Sequence, residues 1–327
     1  MAKNNSKTKF VTLVLIFVLI AVIVFSAFKL NEAIATNKEE QNASTTTTKT
    51  ITVDGVDYFP RQDITVLMLM GIDERGPVVS SESYTNTGEN DMVALAVFDE
   101  VDKSYSVLVL NRDTMMDVHV LGIGGQNAGT IFAQLALAHT YGTGLEDSCE
   151  NTVRTVSDFL SGLTIDYYLS MNMDAISILN DAVGGVTVNV VDDFSQVDST
   201  IPKGEVTLSG EQALAYVQTR KDISDQMNIS RMDRHKEYME NFVSAFNAKV
   251  KESDTFIFET YEDIAPYIVS DCSVNSMNAM LNRYADYTLR EVVTPKGENV
   301  LSGNYMEFYV DEAELQKLML DMFYVEK

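Results

Sequence analysis

The sequence predicts an α/β fold, helices packed on a sheet, behind one N-terminal membrane span. Three observations predict it. The runs ITVLMLM (64–70), MVALAVF (92–98) and YSVLVL (105–110) read as buried strands, and segments of helical spacing follow them. No repeat period and no long structureless run divides the chain beyond residue 62, which makes it one domain. Phe10 to Phe28 contains no charged residue, and at about 1.5 Å per residue it reaches roughly 28 Å, enough to cross a hydrocarbon core.

Lys3, Lys7 and Lys9 precede the apolar run, so the positive-inside rule assigns residues 1–9 to the cytoplasm, 10–29 to a signal anchor and the remainder to the outside. A cleaved signal peptide, with Ala33-Ile34-Ala35 as its processing site, is the alternative. Residues 30–61 include the polar stretch NKEEQNASTTTTKT and read as a tether with too few large apolar side chains to order its backbone. The domain then occupies 62–327. After the three strands, helical spacing is expected at 130–142 (TIFAQLALAHTYG) and 148–162, the second capped by Asp147-Ser148 and closed at Gly162. A strand at 166–173, a helix at 174–183 broken by Gly184-Gly185, and a strand at 186–191 come next. Helices at 208–217 and 231–250 flank a polar stretch. The C-terminal part holds a helix near 274–285, strands near 289–293 and 305–310, and a helix from Asp311.

Charge and composition exclude several functions. Twenty-four basic against 48 acidic residues leave a net charge of −24, so a nucleic-acid backbone would be repelled. Two cysteines and the scattered His119, His139 and His235 have no zinc-ligand spacing. GxxxxGK[ST], GxGxxG and GxSxG are all absent, which removes the usual nucleotide sites and the nucleophile elbow; Gly122 to Gly125 is a turn, and His139 is a core residue. Cys149 and Cys272 both fall outside the membrane and form a candidate disulfide, the alternative being two separate buried thiols.

Charged residues at strand ends carry the chemistry. Asp73 follows the first strand, Asp91 opens the second, and Arg112-Asp113 follow the third. In open α/β sheets ligands gather at such ends. Arginine is scarce, nine in all, yet Arg220, Arg231 and Arg234 cluster, and a guanidinium fork suits phosphate oxygens. On spacing alone the same arginines equally suit surface pairs with Asp222, Asp225 and Asp233. Two carboxylates with several arginines suit Mg²⁺ bridging a diphosphate, because that ion takes one or two carboxylates and fills its shell with water and phosphate.

The series LMGIDERG (69–76), ENDMVALAVF (89–98), LNRDTMM (110–116), LALAHTYGTG (135–144), LNDAVGGVTVNV (179–190), LSGEQALAYVQTRK (208–221) and SRMDRHKEYM (230–239) resembles the LytR-CpsA-Psr family. The resemblance implies a three-layer α-β-α fold with a central mixed sheet, preceded by one transmembrane helix, on the outer side of the cell membrane. It further implies a Mg²⁺-dependent phosphotransferase that moves a glycopolymer, teichoic acid or capsule-like, from a polyprenyl diphosphate carrier to a peptidoglycan sugar hydroxyl, with no nucleic acid involved. By motif position Asp73 and Asp91 would hold Mg²⁺, and Arg112, Arg220, Arg231, Arg234 and Gln218 would face the diphosphate. Arg112, Asp113 and Arg220 would be catalytic, with Asp113 ranked as an orienter of Arg112 above a base. Two positions depart from the family pattern: Glu89 and Gln218 stand where many members carry arginine, and for Gln218 an arginine from elsewhere, such as Arg75 or Arg154, is a candidate replacement. A site short of two cations gives the alternative reading, a weakened prenyl-diphosphate-binding regulator of the envelope.

Overall fold

A computed structural model describes residues 50–326 apart from 220–226, 254, 273–275, 277–278, 281–282, 285–286 and 304. The expected cytoplasmic tail, membrane span and most of the tether lie outside the described residues, as does part of the helix expected near 274–285. Among the described residues no helix is long and apolar enough to cross a membrane.

The chain begins with a hairpin, β1 (Ile51–Val53) and β2 (Val56–Pro60), followed by β3 (Ile64–Ile72), β4 (Asn90–Asp99) and β5 (Ser104–Leu110). A second hairpin, β6 (Met115–Leu121) and β7 (Asn127–Gln134), runs into a 3₁₀ helix at Leu135–Thr140. Then come α1 (Glu146–Phe159), β8 (Tyr167–Asn172), α2 (Asp174–Ala182), β9 (Val186–Val190), β10 (Gly204–Leu208), α3 (Gly210–Gln218), α4 (Met227–Glu252) and α5 (Phe256–Ile264). The chain closes with β11 (Ile268–Ser270), β12 (Thr288–Val293), the hairpin β13 (Gly297–Ser302) and β14 (Tyr305–Val310), then α6 (Glu312–Phe323) and β15 (Tyr324–Glu326).

Six strands form the central sheet in the order β11-β8-β3-β4-β5-β12. β3 with β8 and β5 with β12 are parallel, and the other neighbours are antiparallel, so the sheet is mixed as expected. Its inner strands are apolar on both faces because both faces are covered. Val66, Met68 and Met70 of β3 pack with Val156 of α1, Leu160 and Met319 of α6, whereas Leu67 and Leu69 point the other way, toward Met280 and Tyr284. A separate core of Phe194, Tyr216, Tyr238, Phe242 and Phe246 joins β9 and β10 to α2, α3, α4 and α5. Each such side chain contributes roughly 1.5–3 kcal/mol on burial.

Helix ends follow local chemistry. α1 carries Glu146 and Asp147 in its first turn, where the helix dipole favours acids, and it gives way to Ser161 and Gly162 in left-handed conformation. Ser209 and Gln212 make a reciprocal capping box on α3, and Asp311 caps α6 through the amides of Ala313 and Glu314.

Three expectations change. The segment 130–142 is not a helix: residues 127–134 pair with β6 across the Gly122 to Gly125 turn, and only Leu135–Thr140 coils. Its apolar residues fit both periods, and pairing with β6 decides between them. The tether ends earlier than residue 61, because Asp54 and Gly55 both take positive φ and close the β1–β2 hairpin, which β15 then extends. The candidate disulfide is also corrected, since Cys149 and Cys272 are free buried thiols. Cys149 lies in the core beneath α1 and Cys272 in the core on the opposite face of the sheet, so the sheet itself separates them.

Burial raises the Cys149 thiol above its ordinary range and, helped by Asp271, pushes Cys272 up to about 12. Tyr168 and Tyr238 are raised by burial too. Each group holds its proton more tightly in the folded state, so its contribution to stability is complete below the unfolded pKa, about 8.5 for a thiol, and is lost as pH rises toward the folded value. Unfolding free energies from urea titration should therefore fall between about pH 8.5 and 10.5, by up to about 1.4 kcal/mol per pH unit for each thiol. Thiol titration at pH 8 should find both cysteines unreactive in the native protein and both reactive in denaturant without reductant; thiols that appear in denaturant only after reduction would contradict the fold.

Candidate functional site

Antiparallel pairing of β3 with β4 and of β4 with β5 brings three strand ends together. Ile72 pairs with Asn90 and Val93 with Leu110, so the residues just beyond these pairs share one edge. Asp73 is the first residue past β3, is exposed, and donates its amide to the Glu89 carbonyl at 3.0 Å. Asp91 sits at the irregularity where the β3–β4 register shifts after Gly71. A bulge of this kind re-aims a side chain at the rim of a sheet.

Arg112 enters from the turn after β5. Asn111 organises that turn: its side-chain oxygen accepts from the Asp113 amide at 3.0 Å, and its carbonyl accepts from the Thr114 amide at 3.0 Å and hydroxyl at 2.6 Å. This is what an Asx residue does at a strand exit. The start of the 3₁₀ helix holds the turn from the other side, Ala136 donating to the Arg112 carbonyl at 2.9 Å and Leu135 to the Thr114 carbonyl at 2.8 Å.

The Arg112 guanidinium forms ion pairs with Asp91 and with Glu89, and its Nε lies 3.9 Å from the Asp113 carboxylate. Its side chain is 24% exposed and that of Asp91 20%, so this group of charges is partly desolvated and open on one side. Asp113 also accepts from Gln134 Nε2 at 3.4 Å. Glu89 is held from behind. Asn86 donates to the carbonyls of His139 and Gly142 and accepts from the Gly88 amide, while the buried His139 ring meets the Gly88 carbonyl at 2.9 Å. A Cβ on Gly88 would come within 2.8 Å of Ile72 Cγ2, so only glycine lets the segment pass this close to β3.

Asp73 and Asp91 offer hard oxygen donors of the kind and number Mg²⁺ takes from a protein, with Asp91 already engaged by Arg112. Among the described residues no group of three potential ligands adds to them.

The remaining expected residues separate into three cases. Arg220 and the side chain of Arg231 lie outside the described residues. Gln218 is exposed at the last position of α3. Arg234 is buried at 4% exposure and paired with Asp192, itself 9% exposed. It donates to the carbonyls of Tyr216 at 3.1 Å and Thr219 at 2.7 Å, and its guanidinium lies over the Phe194 and Tyr216 rings. Its donors thus hold the C-terminal end of α3, one residue before Arg220. Burial lowers the Arg234 pKa from its ordinary value, with Asp192 opposing that shift. Arg75 forms ion pairs with Asp174 and Glu211, which fastens the loop after Asp73 to the first turns of α2 and α3. Sequence reasoning missed Gln134, which it had placed in a helix, and the Asn86–His139 brace, whose members are 53 positions apart.

Removing one partner of a buried ion pair leaves a stranded charge, which costs about 3–5 kcal/mol. Arg234→Met should lower folding stability by about that amount in urea titration, and Arg234→Met with Asp192→Leu should recover most of it.

The arrangement can be set beside known proteins. Residues 24–323 match the LytR_cpsA_psr family. A Bacillus licheniformis protein named polyisoprenyl-teichoic acid–peptidoglycan teichoic acid transferase TagU is 26% identical over 216 residues, 66% of this chain. The match spans 61% of that relative's length. The solved structure described as TagT bound to LI-WTA superposes with a TM-score of 0.55 at 22% identity, covering 80% of this chain and 90% of the other. TagV of B. subtilis gives 0.56 at 23%, covering 80% and 96%. These likenesses support the fold, a mixed sheet between covering helices. With most of its length matched, the chain belongs to the LytR_cpsA_psr family.

Proposed function

We propose that this protein is a glycopolymer phosphotransferase of cell-wall assembly. It would stand on the outer face of the cytoplasmic membrane, anchored by residues 10–29, and move a polymer of the teichoic acid or capsule type from a polyprenyl diphosphate to a peptidoglycan sugar hydroxyl. The names of its transferase relatives support that class. The observation that carries the reading is the partly desolvated Arg112 guanidinium, set among Asp91, Glu89 and Asp113 where three strands end.

In this reading the sugar hydroxyl oxygen attacks the phosphorus that bears the glycopolymer. A new P–O bond forms as the bond to the bridging oxygen breaks, polyprenyl phosphate leaves with the bonding electrons, and the hydroxyl proton passes to the departing phosphate or to water. Positioning and charge neutralisation supply most of the acceleration in such displacements. Arg112 takes the charge that grows on the departing phosphate, with Arg220 and Arg231 as further diphosphate ligands. Asp113, whose carboxylate lies 3.9 Å from Arg112 Nε, orients that guanidinium. Asp73 and Asp91 would hold Mg²⁺, which when bound neutralises phosphate oxygens.

Glu89 gives this site a particular character. Its carboxylate occupies part of the guanidinium that a diphosphate would use, so substrate must displace it. A second reading, binding without transfer, is favoured by that same carboxylate together with the exposed Gln218.

The full-length protein in detergent, given a short polyprenyl-diphosphate sugar, a muropeptide acceptor and Mg²⁺, should release polyprenyl phosphate and form a phosphodiester. Arg112→Ala and Asp91→Ala should each reduce the rate by about a hundredfold or more, the scale of losing one preorganised charge contact, with the fold retained by circular dichroism. Chelation of Mg²⁺ should stop turnover and its return restore it. Binding with no turnover under any condition selects the second reading. Glu89→Gln should tighten binding of a prenyl diphosphate about two- to fivefold at low salt, as expected for removing a half-exposed competing charge, and the gain should shrink at high salt.

A further inference from the structure

Resting on the transferase reading, we infer that the outer face of the two hairpins β6–β7 and β13–β14 is the subsite for the sugar backbone of the acceptor glycan. The four strands form a single rim beside Arg112. Thr114 bridges to Phe308, the Phe308 amide donates to the Asp113 carbonyl at 2.8 Å, and Gln134 Nε2 donates to the Met306 carbonyl at 2.6 Å while also reaching Asp113. The hairpin surface therefore begins one residue from the guanidinium.

Aromatic rings stand out from this rim. Phe132 is 61% exposed and Tyr305 72%, and Tyr309 beside them is 40% exposed, so three aromatic side chains on neighbouring hairpins open to solvent. The rings of Phe132 and Tyr309 lie 6.5 Å apart at 35°. Tyr305, Glu307 and Tyr309 alternate along β14 and so share one face, with Glu298 opposite Tyr309 on β13. On the other hairpin the exposed Asp117 stands opposite Phe132. The Tyr309 hydroxyl donates to Glu307 at 2.7 Å.

This mixture selects among occupants. A pyranose ring presents a face of C–H bonds and an edge of hydroxyl and amide groups; aromatic faces take the first and carboxylates the second. None of the four strands contains a lysine or arginine, while Asp117, Glu298 and Glu307 give the face negative charge. A polyphosphate glycopolymer or an anionic lipid surface would be repelled there. The sugar backbone of an acceptor glycan carries no charge of its own and meets less of that barrier, so this face suits the acceptor's sugars better than a polyanionic donor.

The test uses the full-length protein in neutral detergent and a hexamer of β-1,4-linked N-acetylglucosamine. The chain has no tryptophan, so tyrosine fluorescence reports binding without a competing signal. Saturable binding is expected. Phe132→Ala and Tyr309→Ala should weaken it about fivefold or more, the scale of one lost aromatic contact, and Tyr309→Phe, which keeps the ring, should stay within about twofold. Both residues are exposed, and unchanged melting temperatures of the three variants check the fold. Prenyl-diphosphate binding by the same variants should match the parent protein. Hexamer binding that ignores both alanine variants overturns the inference, as does a parent protein that binds anionic vesicles or poly(glycerol phosphate) and not the hexamer. Failure of the transferase reading would appear separately, as absence of prenyl-diphosphate binding and turnover in the parent protein.

Discussion

One guanidinium holds the candidate site together. Arg112 lies where β3, β4 and β5 end, and its pairs with Asp91 and Glu89 tie the turn after β5 to the start of β4. Without those acids the charge would face its neighbours unbalanced, and without the antiparallel pairing of the three strands the acids would lie far from it. The sheet sets the distances and the charges give them a use. A partly desolvated cation balanced by more than one carboxylate is also a poised arrangement, because an incoming phosphate exchanges one set of oxygens for another.

The surrounding structure limits how far that edge can move. Asn86, Gly88 and His139 brace Glu89 from behind, Asn111 and the 3₁₀ helix clamp the turn bearing Arg112, and Arg75 secures the loop after Asp73 to α2 and α3. Arg234 anchors the far side, at the end of α3. Its role there is to satisfy carbonyls at a helix terminus, a common use of a basic side chain. For the proposed transfer the consequence is geometric: such a reaction would depend on alignment, and rigid elements deliver it more reliably than free loops.

The strands β3, β4 and β5 were legible because continuous apolar runs bounded by polar residues can only be buried extended chain or buried helix, and their length decided for strand. Asp73, Asp91 and Arg112 were legible as charges placed at those boundaries. Arg234 was not, because an arginine in a cluster looks the same in sequence whether it faces a ligand or a buried aspartate 42 positions away. The hairpin β6–β7 was missed for a related reason, as IFAQLALA satisfies helical and alternating patterns alike.

The sequence by itself determined the class of fold, the edge at which its charges gather and the family to which the chain belongs. Tertiary structure alone decided that Glu89 pairs with Arg112, that Cys149 and Cys272 lie on opposite faces of the sheet, and that two hairpins meet beside Asp113. Local periodicity reports which way a side chain points along its own element. Which distant segment lies across from it depends on long-range register and layering, and these arise only when the whole core is packed.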